Sequence, residues 1–474
     1  MAGYQTFQTG ILDVKTQVDN YLSEVKKTHN IPGMALAVIQ NEKLIYQSYM
    51  GKASLEKNTK VNKNTLFRIF SATKLITSVA VFQLIERRQL KLSDSIETYL
   101  PDIPTKWRHI KIENLLTHSS GLPDLVAFKS ELNDSDLLKK LYDAPIEFEL
   151  GKQFSYNQTN YWLLAEIIEK ITGSSFASFV LENQFDNNSQ EVMFSSDSNQ
   201  LILNRATRYN YNSKNKAFDK DTNNSGARGH SGNGLNITLN QFIEWNRKLD
   251  KNLLINDSSK MKMWSHYEYT NKEDKFMYGW KSYPVNGIES VGFSGGNLAG
   301  FRKFINHDTT VIFLSNGYQT PVYDTIINDI LRMTVKILKN QDLALEADVM
   351  TLILERDYDK AQTAYSLLKD QNPESDFSNL NWNINSLGNV LQYIENNKEE
   401  AVKAFQFNVQ ANPDWWVSMA SFAEIQESLR NFDIALSYYQ KAIQLNNKNE
   451  WNYNSKMTEQ VSLLKKKLNS SEVN

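Results

Sequence analysis

The 474-residue sequence contains no cysteine. That absence excludes disulfide frameworks, Cys–zinc sites, iron–sulfur clusters and a thiol nucleophile, and leaves the redox compartment open. Any covalent nucleophile must therefore be an oxygen or an amine. Charge of one sign is also lacking. Lys+Arg 52 against Asp+Glu 54 gives a net charge of −2, which supplies no overall field to attract nucleic acid or an anionic membrane. No run of about 18 apolar residues is present to form a transmembrane helix. The start, Met1-Ala2-Gly3-Tyr4-Gln5-Thr6, lacks the basic segment and apolar run of a signal peptide. A cytoplasmic chain fits that start, and so does a periplasmic or secreted chain whose leader has been replaced. The six histidines, at 29, 109, 118, 230, 266 and 307, show no short metal-ligand spacing, so no metal is expected. Neither a Gly-x-Gly-x-x-Gly nor a Walker-type loop follows a strand, and no cofactor is implied.

What is present is the composition of a globular protein, with 41% hydrophobic, 22% charged and 11% aromatic residues. At about 150 residues per domain the length suggests two to three domains. From about 10 to 340 strand-like and helix-like segments alternate. Ala35–Ile39 and Leu44–Tyr46 flank a turn-like Gln40-Asn41-Glu42-Lys43 and read as a hairpin. Apolar residues at three- and four-residue steps predict a helix from near Ser71 to about Leu90. Others are expected at 158–172, ended by Gly173, and at 238–249, with Thr238 as N-cap. Residues 287–316 read as three strands around a Gly-rich turn, and the polar stretch 183–234 as surface loops or a lid.

After about 340 the strand signals vanish and a repeat begins. Trp382 and Trp416, Ala401 and Ala435, Phe405 and Tyr439, and Pro413 and Asn447 are each 34 residues apart. An earlier copy, offset by 40, pairs Ala361 with Ala401, Tyr365 with Phe405 and Pro373 with Pro413. This resembles a tetratricopeptide array of two to three degenerate repeats with a capping helix at 451–468. An ordinary helical bundle is the alternative.

The chemistry is sought in the first 340 residues, beginning with Ser71-Ala72-Thr73-Lys74. Ser-x-x-Lys occurs at least seven times, beginning at Ser23, Ser54, Ser71, Ser213, Ser259, Ser366 and Ser462. Only Ser71 opens a strongly apolar helix, which would put Lys74 one turn along on the same face. An ammonium in an apolar setting lowers its pKa or polarises the hydroxyl, activating a serine without histidine. A helix-capping serine followed by a solvated lysine has the same spacing. Two further segments favour the chemical reading: Phe154-Ser155-Tyr156-Asn157-Gln158-Thr159-Asn160 before an apolar helix, and Gly292-Phe293-Ser294-Gly295-Gly296-Asn297, where backbone could approach a substrate closely.

With Leu115-Leu116-Thr117-His118-Ser119-Ser120-Gly121-Leu122-Pro123, Gly229-His230-Ser231-Gly232-Asn233-Gly234-Leu235 and Tyr278-Gly279-Trp280, these make six collinear matches over roughly 10–335. In them the sequence resembles the serine β-lactamase and penicillin-binding-protein superfamily, specifically its class C-like branch of esterases, D-aminopeptidases and carboxypeptidases. The resemblance implies an α/β, β-lactamase-like (DD-peptidase) fold, an antiparallel sheet flanked by helices, over 10–340. An all-α helical-repeat domain over 341–474 follows. It further implies that Ser71 forms an acyl-enzyme, that Lys74 and Tyr156 manage the proton, and that the backbone N–H groups of Ser71 and Gly296 form the oxyanion hole. Gln158, Phe293, Ser294 and Gly295 would line the acyl site. A phenol serves only if its pKa is depressed or its proton shared, and a nearby lysine would do both.

Two positions depart from the family pattern. Gln158 stands where Asn is usual, one methylene longer. Phe293 replaces the usual Lys or His, and Phe cannot bind a substrate carboxylate. An aromatic there resembles the esterase branch, so a carboxylesterase-like hydrolase is expected. A D-amino-acid-specific peptidase or amidase, a β-lactamase-like activity on peptidoglycan-type substrates, and a degenerate enzyme that binds a peptide or cell-wall fragment are the alternatives. His118 and His230 are expected to be structural. Partners would be a small ester, amide or peptide substrate, and a protein or second copy on the helical repeats.

Overall fold

The computed structural model describes residues 2–212, 214–272, 274–320, 322–335, 345–373, 377–447, 450 and 453–471, without the side chains of 2–13, 379, 470 and 471. Contacts divide the chain into two compact units. The first comprises Met1–Lys26, Ile31–Asn210 and Asp219–Tyr318, and the second Lys27–Asn30, Tyr211–Phe218 and Gln319–Asn474.

The first unit is built on a seven-stranded antiparallel sheet ordered β3-β2-β1-β12-β11-β10-β9. Its strands are β1 (Gly33–Gln40), β2 (Lys43–Ser54), β3 (Thr59–Lys60), β9 (Lys281–Ser282), β10 (Val291–Gly295), β11 (Ala299–Phe304) and β12 (Thr309–Ser315). The expected hairpin forms: Gln40 pairs with Lys43, and Asn41 and Glu42 both take positive φ (48° and 61°), as a tight turn matching strand twist requires. β1 also pairs with β12, Met34 opposite Ser315 through Gln40 opposite Thr309, which joins the two ends of the unit. Alternation sends Ala35, Ala37 and Ile39 to the main core, and the intervening Met34, Leu36 and Val38 are buried on the other face. The helix α1 (Ala2–Thr28) is tied to β2 by Tyr46, whose hydroxyl donates to Asp19 (2.5 Å).

A second sheet, β4-β8-β5, consists of β4 (Leu66–Arg68), β5 (Val192–Phe194) and β8 (Leu235–Thr238). β6 (Tyr209–Asn212) and β7 (Ala217–Lys220) form a two-stranded ribbon. The helix α2 (Thr73–Glu86) is buried from Thr73 to Leu84, as its apolar run on all faces requires. Against it pack α5 (Gln158–Thr172), α6 (Phe176–Phe185), α7 (His230–Asn233) and α9 (Asp257–Met263), and the unit also contains α3 (Ile112–Leu116), α4 (Asp134–Asp143) and α8 (Leu239–Asp250). α5 is capped by Asn157 and stopped by Gly173 at φ 69°, and Thr238 caps α8 by accepting from the Gln241 N–H, as the sequence predicts. The stretch 183–234 is more ordered than expected: it carries β5, β6, β7 and α7.

The second unit is helical. α10 (Tyr323–Thr334) is followed by α11 (Glu346–Leu354), α12 (Tyr358–Gln371), α13 (Ser378–Asn389), α14 (Lys398–Ala411), α15 (Trp416–Ser428), α16 (Phe432–Leu445) and α17 (Asn454–Ser471). Asp329 and Arg332 of α10 form a buried pair (2.8 Å), and Asp329 accepts the Glu346 and Ala347 N–H groups at the start of α11. That carboxylate satisfies donors which a helix N-terminus otherwise leaves unpaired. α12, α14 and α16 begin at 358, 398 and 432, the 40- and 34-residue offsets read from the sequence. The longer interval coincides with a π-helical extension, Val390–Ile394, before α14. Ala361, Ala401 and Ala435 are fully buried, as are Tyr365, Phe405 and Tyr439 four residues on.

Candidate active site

β4 ends at Arg68, and Ser71 follows in the single 3-10 turn Phe70–Ala72 ahead of α2. The turn is held from both sheets. From β8, the Leu235 carbonyl accepts the Ile69 N–H (2.9 Å), and the Leu235 N–H donates to Thr73 Oγ1 (3.2 Å). On the other side β10 lies so close that a Cβ on Gly295 would fall 1.8 Å from the Ile69 carbonyl oxygen. Only glycine permits that approach. Phe70 takes φ 46°, a strained choice for a bulky residue, and its ring lies near the guanidinia of Arg68 (4.6 Å) and Arg208 (4.8 Å). Ser71 is thus fixed in a strained turn and half-buried.

Lys74, in the first turn of α2, has no exposed surface. Its Nζ donates to Gln158 Oε1 (2.9 Å) and to the Gly232 carbonyl (2.9 Å), and lies over the rings of Tyr156 (4.7 Å) and Tyr161 (4.9 Å). The extra methylene of Gln158 therefore does not take its amide out of reach. Burial pulls the Lys74 ammonium down to about 7, opposed by the carboxylate of Asp124. The Tyr156 hydroxyl lies near the Ser71 and Gln158 side chains, both of which favour its ionised form. The residue as a whole is 37% exposed, but burial of its hydroxyl raises the pKa despite those neighbours. The depression expected of the phenol is not found. Burial thus shifts the two groups oppositely, the lysine toward its neutral form near neutral pH and the phenol away from ionisation.

Asp124 was not singled out from the sequence, although it directly follows the Gly121-Leu122-Pro123 segment. Its Oδ1 accepts the Gln158 N–H (3.0 Å) while its charge acts on Lys74. Asp124→Asn keeps an acceptor for Gln158 and removes that charge. The lysine pKa then falls, and the acid limb of the pH–rate profile moves to lower pH by up to about one unit. Initial rates from pH 5 to 9 measure this, and an unmoved or upward-shifted limb contradicts it. Gly232 was likewise invisible as a lysine partner, because a backbone carbonyl carries no side-chain signature. A Cβ there would lie 2.7 Å from Gln158 Oε1.

His118 is fully buried among Tyr156, Tyr161, Phe154 and Phe276, and its Nδ1 accepts the Asn157 N–H (3.1 Å). Burial, then the charge of Lys74, hold its pKa well below the ordinary histidine value. A neutral imidazole thus anchors the backbone beside Tyr156.

Phe293 is buried, stacked on Tyr156 (centroids 6.2 Å) and edge-on to Phe276. Ser294 accepts a hydrogen bond from Nη2 of Arg302 (2.6 Å), a buried guanidinium on the neighbouring strand that stacks on Tyr283 (3.3 Å). Gly296 has φ 56°, and a Cβ there would strike the Phe70 ring (2.7 Å). The Ser71 and Gly296 backbone N–H groups make no backbone hydrogen bond among the described residues, and the segments carrying them touch.

A serine in a strained turn before a buried helix, a buried lysine one turn along that helix, and a tyrosine near the serine, all against the edge of an antiparallel sheet, define an active-site-serine hydrolase of the β-lactamase and penicillin-binding-protein type. The Beta-lactamase family matches residues 18–335, and the chain belongs to that family. Penicillin-binding protein 4* of Bacillus subtilis (strain 168) is 27% identical over 325 residues, 63% of this chain and 71% of that protein. Among solved structures, D-amino acid amidase from Ochrobactrum anthropi SV3 superposes with a TM-score of 0.57 at 15% identity, covering 69% of this chain and 98% of that one. EstCE1, described as a hydrolase with promiscuous acyltransferase activity, gives 0.56 at 17% identity, covering 70% and 100%. At these identities the structures speak to the fold alone.

Proposed function

We propose that this chain is a class C-like serine hydrolase that cleaves a carboxylic ester through an acyl-enzyme on Ser71. Lys74, brought to about 7 by burial, accepts the Ser71 proton by way of the Tyr156 hydroxyl. Oγ adds to the carbonyl, the oxyanion is held by the Ser71 and Gly296 N–H groups, and the alcohol leaves with the transferred proton. Water then attacks the acyl-enzyme by the same route in reverse, releasing the acid and restoring Ser71. The observation that carries the ester reading is Phe293, an apolar side chain buried against Tyr156 at the position where the family usually has Lys or His. The intact Lys74–Gln158 bond supports an enzyme over a degenerate binding module. A D-amino-acid amidase, an activity found on the same fold, is the second reading.

We also assign the hydrolase to residues 10–340 and a tetratricopeptide-like domain, suited to a protein partner or a second copy, to 341–474; buried Ala401 and Ala435 at matching positions support the latter. A parallel assay of a nitrophenyl ester, a D-amino-acid amide, nitrocefin and a D-Ala-terminated peptide tests the substrate class. The ester is expected to show the highest kcat/KM, and a clear preference for nitrocefin or the D-Ala peptide overturns the reading of Phe293.

A further inference from the structure

Beside the nucleophile turn lies a cavity of about 530 Å³, lined among others by Arg68, Phe70, Arg208, Asn223, Asn224 and Asn233. It shares Arg68, Arg208 and Thr222 with a second cavity of about 310 Å³ that also carries Lys57, Arg205 and Lys220. Basic side chains outnumber acidic ones in both. The first has Glu131, which is exposed, and the second Asp221, which is already bonded to Arg208 (3.0 Å), Ser198 and the Asn210 and Asn223 amides.

The arginines are incompletely satisfied. Arg68 donates from Nε to the Asn233 carbonyl (2.9 Å) and from Nη2 to Asn233 Oδ1 (2.7 Å), whereas its Nη1 is buried with no acceptor. Arg208 likewise has a buried Nε without an acceptor. Burial and the neighbouring arginines pull Arg68 down to about 10, so it remains charged at neutral pH. A buried guanidinium nitrogen without an acceptor is costly, and a carboxylate matches its forked donors. Phe70 ties this cluster to the chemistry: its ring touches both guanidinia, and the next residue is Ser71.

We propose that the Arg68–Arg208 cavity is an anion subsite, and that the substrate is an ester carrying a carboxylate or phosphate group that reaches past Phe70. This deepens the ester reading and rests on it. The negative group is recognised at a different place from the one Phe293 has closed, so an acidic ester is accepted where a β-lactam carboxylate is not.

The test compares kcat/KM for 4-nitrophenyl butyrate with that for 4-nitrophenyl hemiglutarate, acidic on the acyl side, and for 4-butyryloxybenzoate, acidic on the leaving side. Wild type is expected to prefer one acidic ester, and Arg208→Gln to lower its acidic-to-neutral ratio by about tenfold to a hundredfold. Arg208 also holds Asp221, so a second variant keeps both arginines. Asn224 is exposed and accepts the Gly226 N–H through Oδ1 (2.8 Å), which Asn224→Asp retains while adding a negative charge to the wall. It should lower the same ratio. Calorimetric titration of Ser71→Ala with glutarate and with inorganic phosphate separates the two anions and reads the subsite without turnover. Ratios equal in wild type and both variants, or no anion binding by Ser71→Ala, overturn the proposal. Failure of the neutral ester alone, with anion binding intact and sensitive to Arg208→Gln, overturns the ester reading and leaves the subsite standing.

Discussion

Ser71→Ala lowers kcat for a nitrophenyl ester by on the order of 10⁴- to 10⁶-fold, leaving only what binding and the oxyanion donors supply. The size follows from the arrangement around the serine. Its turn is pinned by Leu235 on one side and by Gly295 on the other, so Oγ is presented without an entropic search. Removing the oxygen deletes the covalent path entirely, while the packing of the turn is unchanged because alanine keeps the Cβ. A fluorophosphonate gives the matching structural readout. Ser71 Oγ displaces fluoride and forms a bond to phosphorus, and the mass adduct appears on the wild type and is absent from Ser71→Ala. Retained turnover in the variant, or an adduct on another serine, contradicts the assignment.

Lys74→Met produces the second large loss, on the order of 10²- to 10⁴-fold in kcat, the range for a positioned proton acceptor. Methionine is unbranched and fits the buried channel, so folding is preserved, as near-ultraviolet circular dichroism verifies. Lys74→Arg fails as completely, because a guanidinium remains protonated at every accessible pH. The wild-type pH profile carries the sign. Burial brings the lysine to about 7, and the neutral form is the acceptor, so kcat/KM rises with pH through about 7 and levels above it. Tyr156 is shifted upward, so it adds no alkaline limb near neutral pH. An acid limb near the ordinary lysine value of 10.5, or a profile governed by a histidine-like group in Lys74→Met, rules out this base.

Much of the fold was legible because local chemistry and tertiary packing agree. The Asn41–Glu42 turn, the Asn157 and Thr238 caps and the Gly173 stop are decisions made by single residues about their own backbone. The repeat was legible for another reason: a small alanine and an aromatic four residues later recur because each helix pair meets the same packing problem. The helix predicted to begin near Ser71 begins instead at Thr73, because Phe70–Ala72 is held in a strained turn between two sheets by partners more than 150 residues away. No local pattern reports that constraint.

The sequence by itself determined which atoms were available: no thiol, one serine ahead of a buried helix with a lysine three residues on, a tyrosine before a second helix, and an aromatic at Phe293. Tertiary structure alone decided their charge states and partners. Whether Lys74 is an ammonium or a base depends on how completely water is removed and how near Asp124 lies, and whether Tyr156 is acidic depends on the burial of its hydroxyl. The Arg68–Arg208 cavity is of the same kind, since its two guanidinia come from segments 140 residues apart and are brought together at the ring of Phe70. Residue type is written in the chain, whereas solvation and the distance between charges exist only after folding, and those two quantities set the chemistry of this site.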